Sequence, residues 1–352
     1  MVHGNVFAGY DWFSSRRGGG RLMSTNSLMG VAWHPLGPGE LMFRAMSSAE
    51  LVTVGTEGYP LILQSGETAF GKPLHDRQHP HDLVMELAAM YVLPVSDDVA
   101  LQLYVALAGE PALGPTAFPH RISAISDPLA PLGHHWQDST HIAFGVVTAA
   151  IFTKTFKLDA SWFNGREPDE NRWDLDLRVP DSYSGRLTWN PNASWSLQAS
   201  YGFLRSPEPR DPDVSLRRVT ASATHNVRQG AKGNLATTFV FGENIPGEGP
   251  ATPAFLLEST WSFDAHSLFG RAEYVRKTGH DLVLPSQFDT TSFSTGMLSL
   301  GYLRGFGPFG SLAPGIGVRG SLGFVESGLG SFYGTHHPVG GMVFMQVRPV
   351  PM

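Results

Sequence analysis

From about residue 5 onward the chain is a succession of short segments in which every second residue is large and apolar. Residues 195–204 show it: Trp195, Leu197, Ala199, Tyr201 and Phe203 alternate with Ser196, Gln198, Ser200 and Gly202. Successive side chains of a strand point to opposite faces, so such a segment has one oily and one wet surface. The same sorting returns at 99–107, where Val99, Leu101, Leu103, Val105 and Leu107 oppose Ala100, Gln102 and Tyr104. It returns again at 267–275, where Leu268, Ala272 and Tyr274 oppose Ser267, Arg271 and Glu273, and at 316–324, where Ile316, Val318, Leu322 and Phe324 oppose Arg319 and Ser321. A soluble β-sandwich also alternates. Its outer face usually carries many Lys and Glu, whereas this wet face is mostly Ser, Thr, Gly and Gln.

The segments read as strands over 5–14, 27–35, 40–54, 84–95, 99–109, 140–153, 156–165, 183–190, 195–205, 216–228, 233–243, 253–263, 267–277, 292–304, 314–325 and 338–348. Most approach the roughly 9–11 residues that a tilted strand needs to cross a bilayer. Turn residues such as Gly37-Pro38-Gly39, Ser96-Asp97-Asp98, Pro191-Asn192 and Asp264-Ala265 make tight links. Every other connection is longer: 15–26, 55–83, 110–139, 166–182, 206–215, 244–252, 278–291 and 326–337. Alternating tight turns and long loops put all the loops on one side and both termini on the other. The expectation is an all-β fold, a transmembrane antiparallel up-and-down β-barrel of about sixteen strands within a range of twelve to sixteen. It forms a single domain over residues 1–352, with short periplasmic turns and the long loops 55–83, 110–139 and 166–182 on the extracellular side.

Composition agrees. Charged residues are 16% of the chain, against roughly 25% in soluble proteins. No stretch approaches the roughly 18 consecutive apolar residues of a spanning helix; the longest weakly polar run, Ile142 to Phe152, is interrupted by Gly145 and Thr148. Absence of cysteine excludes disulfides, thiolate metal sites and a Cys nucleophile. A net charge of −6 without a basic cluster argues against nucleic acid. Tyr10, Trp12, Trp33, Tyr183, Trp189, Trp195 and Trp261 lie near segment ends, as interfacial girdles require. Met1 is followed by Val-His-Gly-Asn rather than by a charged and then an apolar run, so a mature or trimmed chain without its signal peptide is expected.

Over essentially its whole length the pattern resembles bacterial outer-membrane β-barrels of the porin-like kind. More narrowly, His75-Asp76-Arg77-Gln78-His79-Pro80-His81-Asp82, Gly109-Glu110-Pro111-Ala112-Leu113-Gly114-Pro115, the run HHWQDSTH from His134 to His141, and Asn164-Gly165-Arg166-Glu167-Pro168-Asp169-Glu170 resemble hallmark segments of an uncharacterised family of such proteins. The resemblance implies the outer membrane of a Gram-negative bacterium and a barrel fold. It implies no reaction.

Seven of the 14 histidines fall between residues 75 and 141. His79, His81, His134, His135 and His141, with Asp138, are candidate ligands for Zn²⁺ or Cu²⁺, which imidazole and carboxylate can bind without thiolate. The alternative reading is histidines that bond backbone carbonyls and pack the loops. No spacing matches a metal motif, and no other cofactor is expected. Asp138, Ser139 and His141 would also assemble a hydrolase triad, although proximity in sequence does not establish catalytic geometry. The acid-rich stretch from Arg166 to Asp181 lacks the Gly and terminal Glu of a Ca²⁺ loop and reads as salt-bridged.

Arg44, Glu86, Lys157, Asp159, Arg186, Glu258, Arg271, Glu273 and Arg319 fall on wet faces and are candidate pore-lining residues. Sixteen strands normally leave an aqueous channel, about eight a filled one. The Pro- and Gly-rich loop 110–139 is the segment best suited to fold inward. The function expected is therefore a porin-like channel or small-solute transporter, not an enzyme. Its partners would be outer-membrane lipid and small solutes, as a monomer or a trimer alike. A metal-binding envelope barrel is the alternative, and an outer-membrane hydrolase the third reading.

Overall fold

The computed structural model describes residues 1–350. The first strands are β1 (Val2–Ser14), β2 (Gly19–Leu36), β3 (Gly39–Ser47), β4 (Tyr59–Ala69), β5 (Lys72–Gln78), β6 (Val84–Pro94), β7 (Ala100–Gly109), β8 (Ala143–Phe152) and β9 (Phe156–Asn164). They are followed by β10 (Ser182–Asn192), β11 (Trp195–Leu204), β12 (Leu216–Gln229), β13 (Gly233–Pro246) and β14 (Thr252–Phe263). β15 (His266–Thr278), β16 (Ser292–Gly305), β17 (Leu312–Val325) and β18 (Val339–Pro349) complete the set. Sixteen of these, among the described residues, form one closed antiparallel barrel in which each strand pairs with its sequence neighbours. β1 closes on β18, with Val6 opposite Val347 and Ser14 opposite Val339. The remaining two, β4 and β5, make a separate hairpin inside the β3–β6 connection. Closure satisfies every strand edge, which a sheet in lipid requires.

The alternation sorts as its chemistry demands. Leu101, Leu103, Val105, Leu107, Leu187, Leu257, Leu300, Val318 and Val343 all face outward. A soluble monomer does not expose so large an apolar band, and the band faces lipid. Trp33, Phe156, Trp189, Trp195 and Trp261 ring it near the tight turns, and Tyr10, Trp12, Trp162 and Tyr183 near the loops. Phe156 and Trp189 stack across strands with ring centroids 6.0 Å apart.

Several boundaries differ from the sequence expectation. The strand expected over 40–54 ends at Ser47, because Ser48 Oγ accepts the Glu50 N–H and starts a helical turn, α1 (Glu50–Thr53). Two connections expected to be long are short. β2 already begins at Gly19, which leaves only residues 15–18 as a link, and β13 runs on to Pro246. Gly18-Gly19-Gly20 reads locally as loop, yet Trp12 pairs with Gly20 and Phe13 with Gly19. Tyr10 lies against Gly20 so closely that a β-carbon there would collide with its hydroxyl. Cross-strand contact with an aromatic holds the glycines in the sheet.

The bore of the sixteen strands is partly filled. Phe7, Met23, Phe269, Met297, Leu303, Met342 and Phe344 point inward on the β14–β18 and β1–β2 side. They pack against Tyr59, Leu61, Leu63, Leu129, Leu132, Leu282 and Leu329 from the loops. Half of the barrel therefore holds an apolar core like that of a soluble domain. Leu257→Lys, at the middle of the lipid-facing band, should cost about 2–4 kcal/mol in denaturant unfolding from lipid; Thr188→Lys, on the inward face of β10, should cost far less.

Candidate functional site

The inner site is built by residues 110–142, which leave the wall at β7, cross the bore and rejoin it at β8. Polar side chains of the wall receive the segment's backbone. Ser161 Oγ accepts the Ala112 N–H at 2.7 Å, and Ser200 Oγ accepts the Gly114 N–H at 2.9 Å. Arg218 donates to the His135 carbonyl at 2.6 Å and to Ser139 Oγ at 2.9 Å. Trp136 Nε1 donates to Thr252 Oγ1 at 2.8 Å. Gly242 admits this contact, because a β-carbon there would strike the Trp136 carbonyl.

Buried ion pairs fasten the middle of the segment. Arg121 donates to Glu258 at 2.6 Å and to Asp138 at 2.8 Å. Arg271 donates to the other oxygen of Glu258 at 2.9 Å and stands 3.4 Å from Asp127, which Arg319 meets at 3.1 Å. Glu273 accepts the Leu132 N–H. Four of the nine candidate pore-lining residues, Glu258, Arg271, Glu273 and Arg319, are thus sealed beneath residues 121–132 rather than exposed to a channel. The other five lie on the opposite wall. Arg44 pairs with Glu86. Asp159 takes Lys157 at 2.8 Å and Arg186 at 3.7 Å. Arg121 was missed in the sequence; a polar residue within an otherwise apolar, Pro-rich inward loop was the available signal.

Between that wall and the infolded segment lies a cavity of about 570 Å³, lined by Arg44, Glu86, Glu110, His120, Arg121, His141, Arg186, Thr188 and Gln198 among others. It shares Ser196 and Thr224 with a second space of about 430 Å³ at the tight turns. Burial pushes the Glu110 carboxyl up to about 7, against the pull of Arg186 and Arg44. At the loop end a cavity of about 390 Å³ is lined by His135, Glu208, Arg210, Asp211 and His280.

The histidines close the space between these ends. His79, His81, His134, His135 and His141 are all buried or nearly so, on three separate stretches of chain that the fold joins. Ring centroids of His81 and His134 each lie 5.2 Å from that of His141, and those of His134 and His79 lie 5.3 Å and 5.4 Å from that of His135. Each ring is held through Nδ1. His81 meets Glu50 at 2.9 Å, His134 meets Asp138 at 2.7 Å, and His135 meets Glu167 at 3.1 Å. His79 and His141 face the carbonyls of Pro80 and Asp138 at 3.2 and 3.0 Å. Burial and the neighbouring imidazoles push His79 and His141 well below the usual range, so both are neutral at pH 7. Burial also acts on His81, but the Glu50 carboxylate outweighs it and raises that ring.

Asp138 stands beside the histidines as their support. Its carboxylate accepts from Arg121, from the Phe118 N–H at 3.1 Å and from His134. Ser139 Oγ is occupied by Arg218, and no hydrogen bond joins it to His141 among the described residues. Arg172 pairs with Glu67 of β4 and lies 3.7 Å from Asp82, so the acid-rich loop lies over the β4–β5 hairpin.

Fold and site together define a porin-type transmembrane barrel with a partly filled bore. No family model and no curated protein matches the chain. Solved structures do. Salmonella typhi OmpF in complex with daunomycin superposes with a TM-score of 0.57 at 12% identity, covering 98% of this chain and 97% of that one. An anion-selective porin from Comamonas acidovorans gives 0.56 at 10% identity, covering 99% and 98%. A loop L8 deletion mutant of OmpT, an outer membrane protein of Vibrio cholerae, gives 0.53 at 9% identity, covering 99% of both. Identities this low establish a shared fold.

Arg121→Ala leaves Glu258 and Asp138 short of a partner in the barrel interior. It should cost about 3–5 kcal/mol of stability and expose residues 110–142 to protease, read by limited proteolysis of the folded barrel.

Proposed function

We propose that this protein is a narrow diffusion channel of the bacterial outer membrane for small hydrophilic solutes. The carrying observation is the polar cavity of about 570 Å³ between wall and infolded segment, with charges of both signs and a continuation to the turn end. Arg44, Glu86 and Arg186 line it directly, and Asp159 and Lys157 support that wall. On its loop side the cavity meets the small histidine-lined space at His141, so the solutes admitted are small. Selectivity comes from wall charges and the infolded segment rather than from covalent chemistry. The porin fold and the lipid-facing belt support the location.

Folded protein should give small stepwise conductances in planar bilayers, and a preparation that gives none sinks the reading. Arg186→Glu should move the reversal potential toward cations. Glu110 adds a pH dependence whose sign follows from its raised carboxyl. It is neutral below about 7 and negative above, so preference for cations should grow as pH rises through 7. Glu110→Gln should flatten that response.

A further inference from the structure

Four of the belt histidines, His79, His81, His134 and His141, border a cavity of about 10 Å³ that Glu67, Asp82 and Arg172 also line. That is room for one small ion or one water. All four rings share an arrangement. Nδ1 is engaged by a carboxylate or a carbonyl oxygen; Nε2 of His81, His134 and His141 is buried and makes no hydrogen bond, and Nε2 of His79 stands 3.1 Å from Glu67. Buried polar atoms in native proteins are almost always paired, so three orphans around one space call for a cause. Histidines bound to a metal show this division of labour: the outer nitrogen donates to an oxygen, which fixes the ring, and the inner one ligates.

We propose that His79, His81, His134 and His141 bind one Cu²⁺ or Zn²⁺ ion through Nε2, with Glu67 as the neighbouring oxygen donor. The metal class follows from the donors, since imidazole without thiolate suits borderline divalent ions. Rings bound through nitrogen at about 2 Å with tetrahedral angles hold their centres about 5 Å apart. His81 and His134 each stand 5.2 Å from His141, and His79 stands 6.3 Å from His134. No three of these nitrogens lie within 4.8 Å of one another, so binding pivots the rings inward about their Nδ1 anchors. Glu50 and Asp138 are then positioning residues, which orient His81 and His134 without touching the ion. Access is through His141, which lines both the small cavity and the 570 Å³ one. His135 stands apart. It opens to the loop-end cavity and forms a separate donor trio with Glu167 and Glu208.

The test uses the full-length barrel, folded in detergent and stripped with chelator, titrated separately with CuCl₂ and ZnCl₂. One ion per chain is expected by equilibrium dialysis with elemental analysis, and Cu²⁺ should show electron paramagnetic resonance couplings to several nitrogens. His134→Gln and His141→Gln should each weaken binding at least about tenfold. Glu50→Gln should weaken it about tenfold at unchanged stoichiometry. Heat-modifiable electrophoretic mobility verifies that each variant is folded; if a histidine variant fails to fold, the nitrogen couplings of the wild-type protein decide alone. No stoichiometric uptake of either ion, or an oxygen-only Cu²⁺ spectrum, overturns the proposal. So does binding that survives both histidine changes but is lost in Glu208→Gln, which would place the ion on the loop-end trio. None of these measurements involves conductance, so the site and the channel reading fail independently.

Discussion

The interior of this barrel depends on a chain of alternating buried charges, running Asp138, Arg121, Glu258, Arg271, Asp127, Arg319. A wall of sixteen strands is too wide for its own side chains to fill, so a segment of main chain is drawn across it. Carrying charges out of water is expensive, and their attraction offsets that cost only where each has more than one partner. Here Glu258 lies between Arg121 and Arg271, and Asp127 between Arg271 and Arg319. Removing any interior member deprives two others of a partner. The network therefore specifies where residues 110–142 sit as much as it stabilises them.

Two different interiors follow from that placement. On the side of β14–β18, Phe269, Phe344 and Met297 meet Leu129 and Leu132, and water is excluded. On the side of β6–β12 the wall keeps Ser, Thr and Arg, and the infolded segment stands clear enough to leave a polar cavity. The histidine belt forms toward the loop end of that cavity, where α1, the β4–β5 hairpin and residues 134–141 converge. Its rings are anchored through Nδ1 by carboxylates and carbonyls, and four of them line one small space.

Much of the wall was legible locally. Leu101, Leu103 and Leu107 against Gln102 and Tyr104 suffice to assign faces, because the period of two is a property of the strand alone. The girdle positions of Trp189, Trp195 and Trp261 follow from the same pattern. Local reading failed where a distant partner overrode it. Gly18-Gly19-Gly20 looks like loop until Tyr10 and Phe13 are placed beside it. Residues 40–54 look like one strand until Ser48 accepts the Glu50 N–H and a helical turn begins. Among the charges, Arg319 and Arg186 look alike in sequence, both single arginines on a wet face, yet one is sealed beneath Asp127 and the other borders water.

The sequence by itself determined the class of object: alternation within segments demands a sheet with one lipid-compatible face, and alternating connection lengths demand that its loops share a side. Both follow from short-range geometry. What only the tertiary structure decided is the content of the bore. How the loop that enters it is seated, which charges become buried, and whether His79, His81, His134 and His141 share one space depend on contacts between residues tens to hundreds of positions apart. No periodicity records such contacts, and so the histidines that look like scattered loop residues in the chain become a single enclosed pocket in the fold.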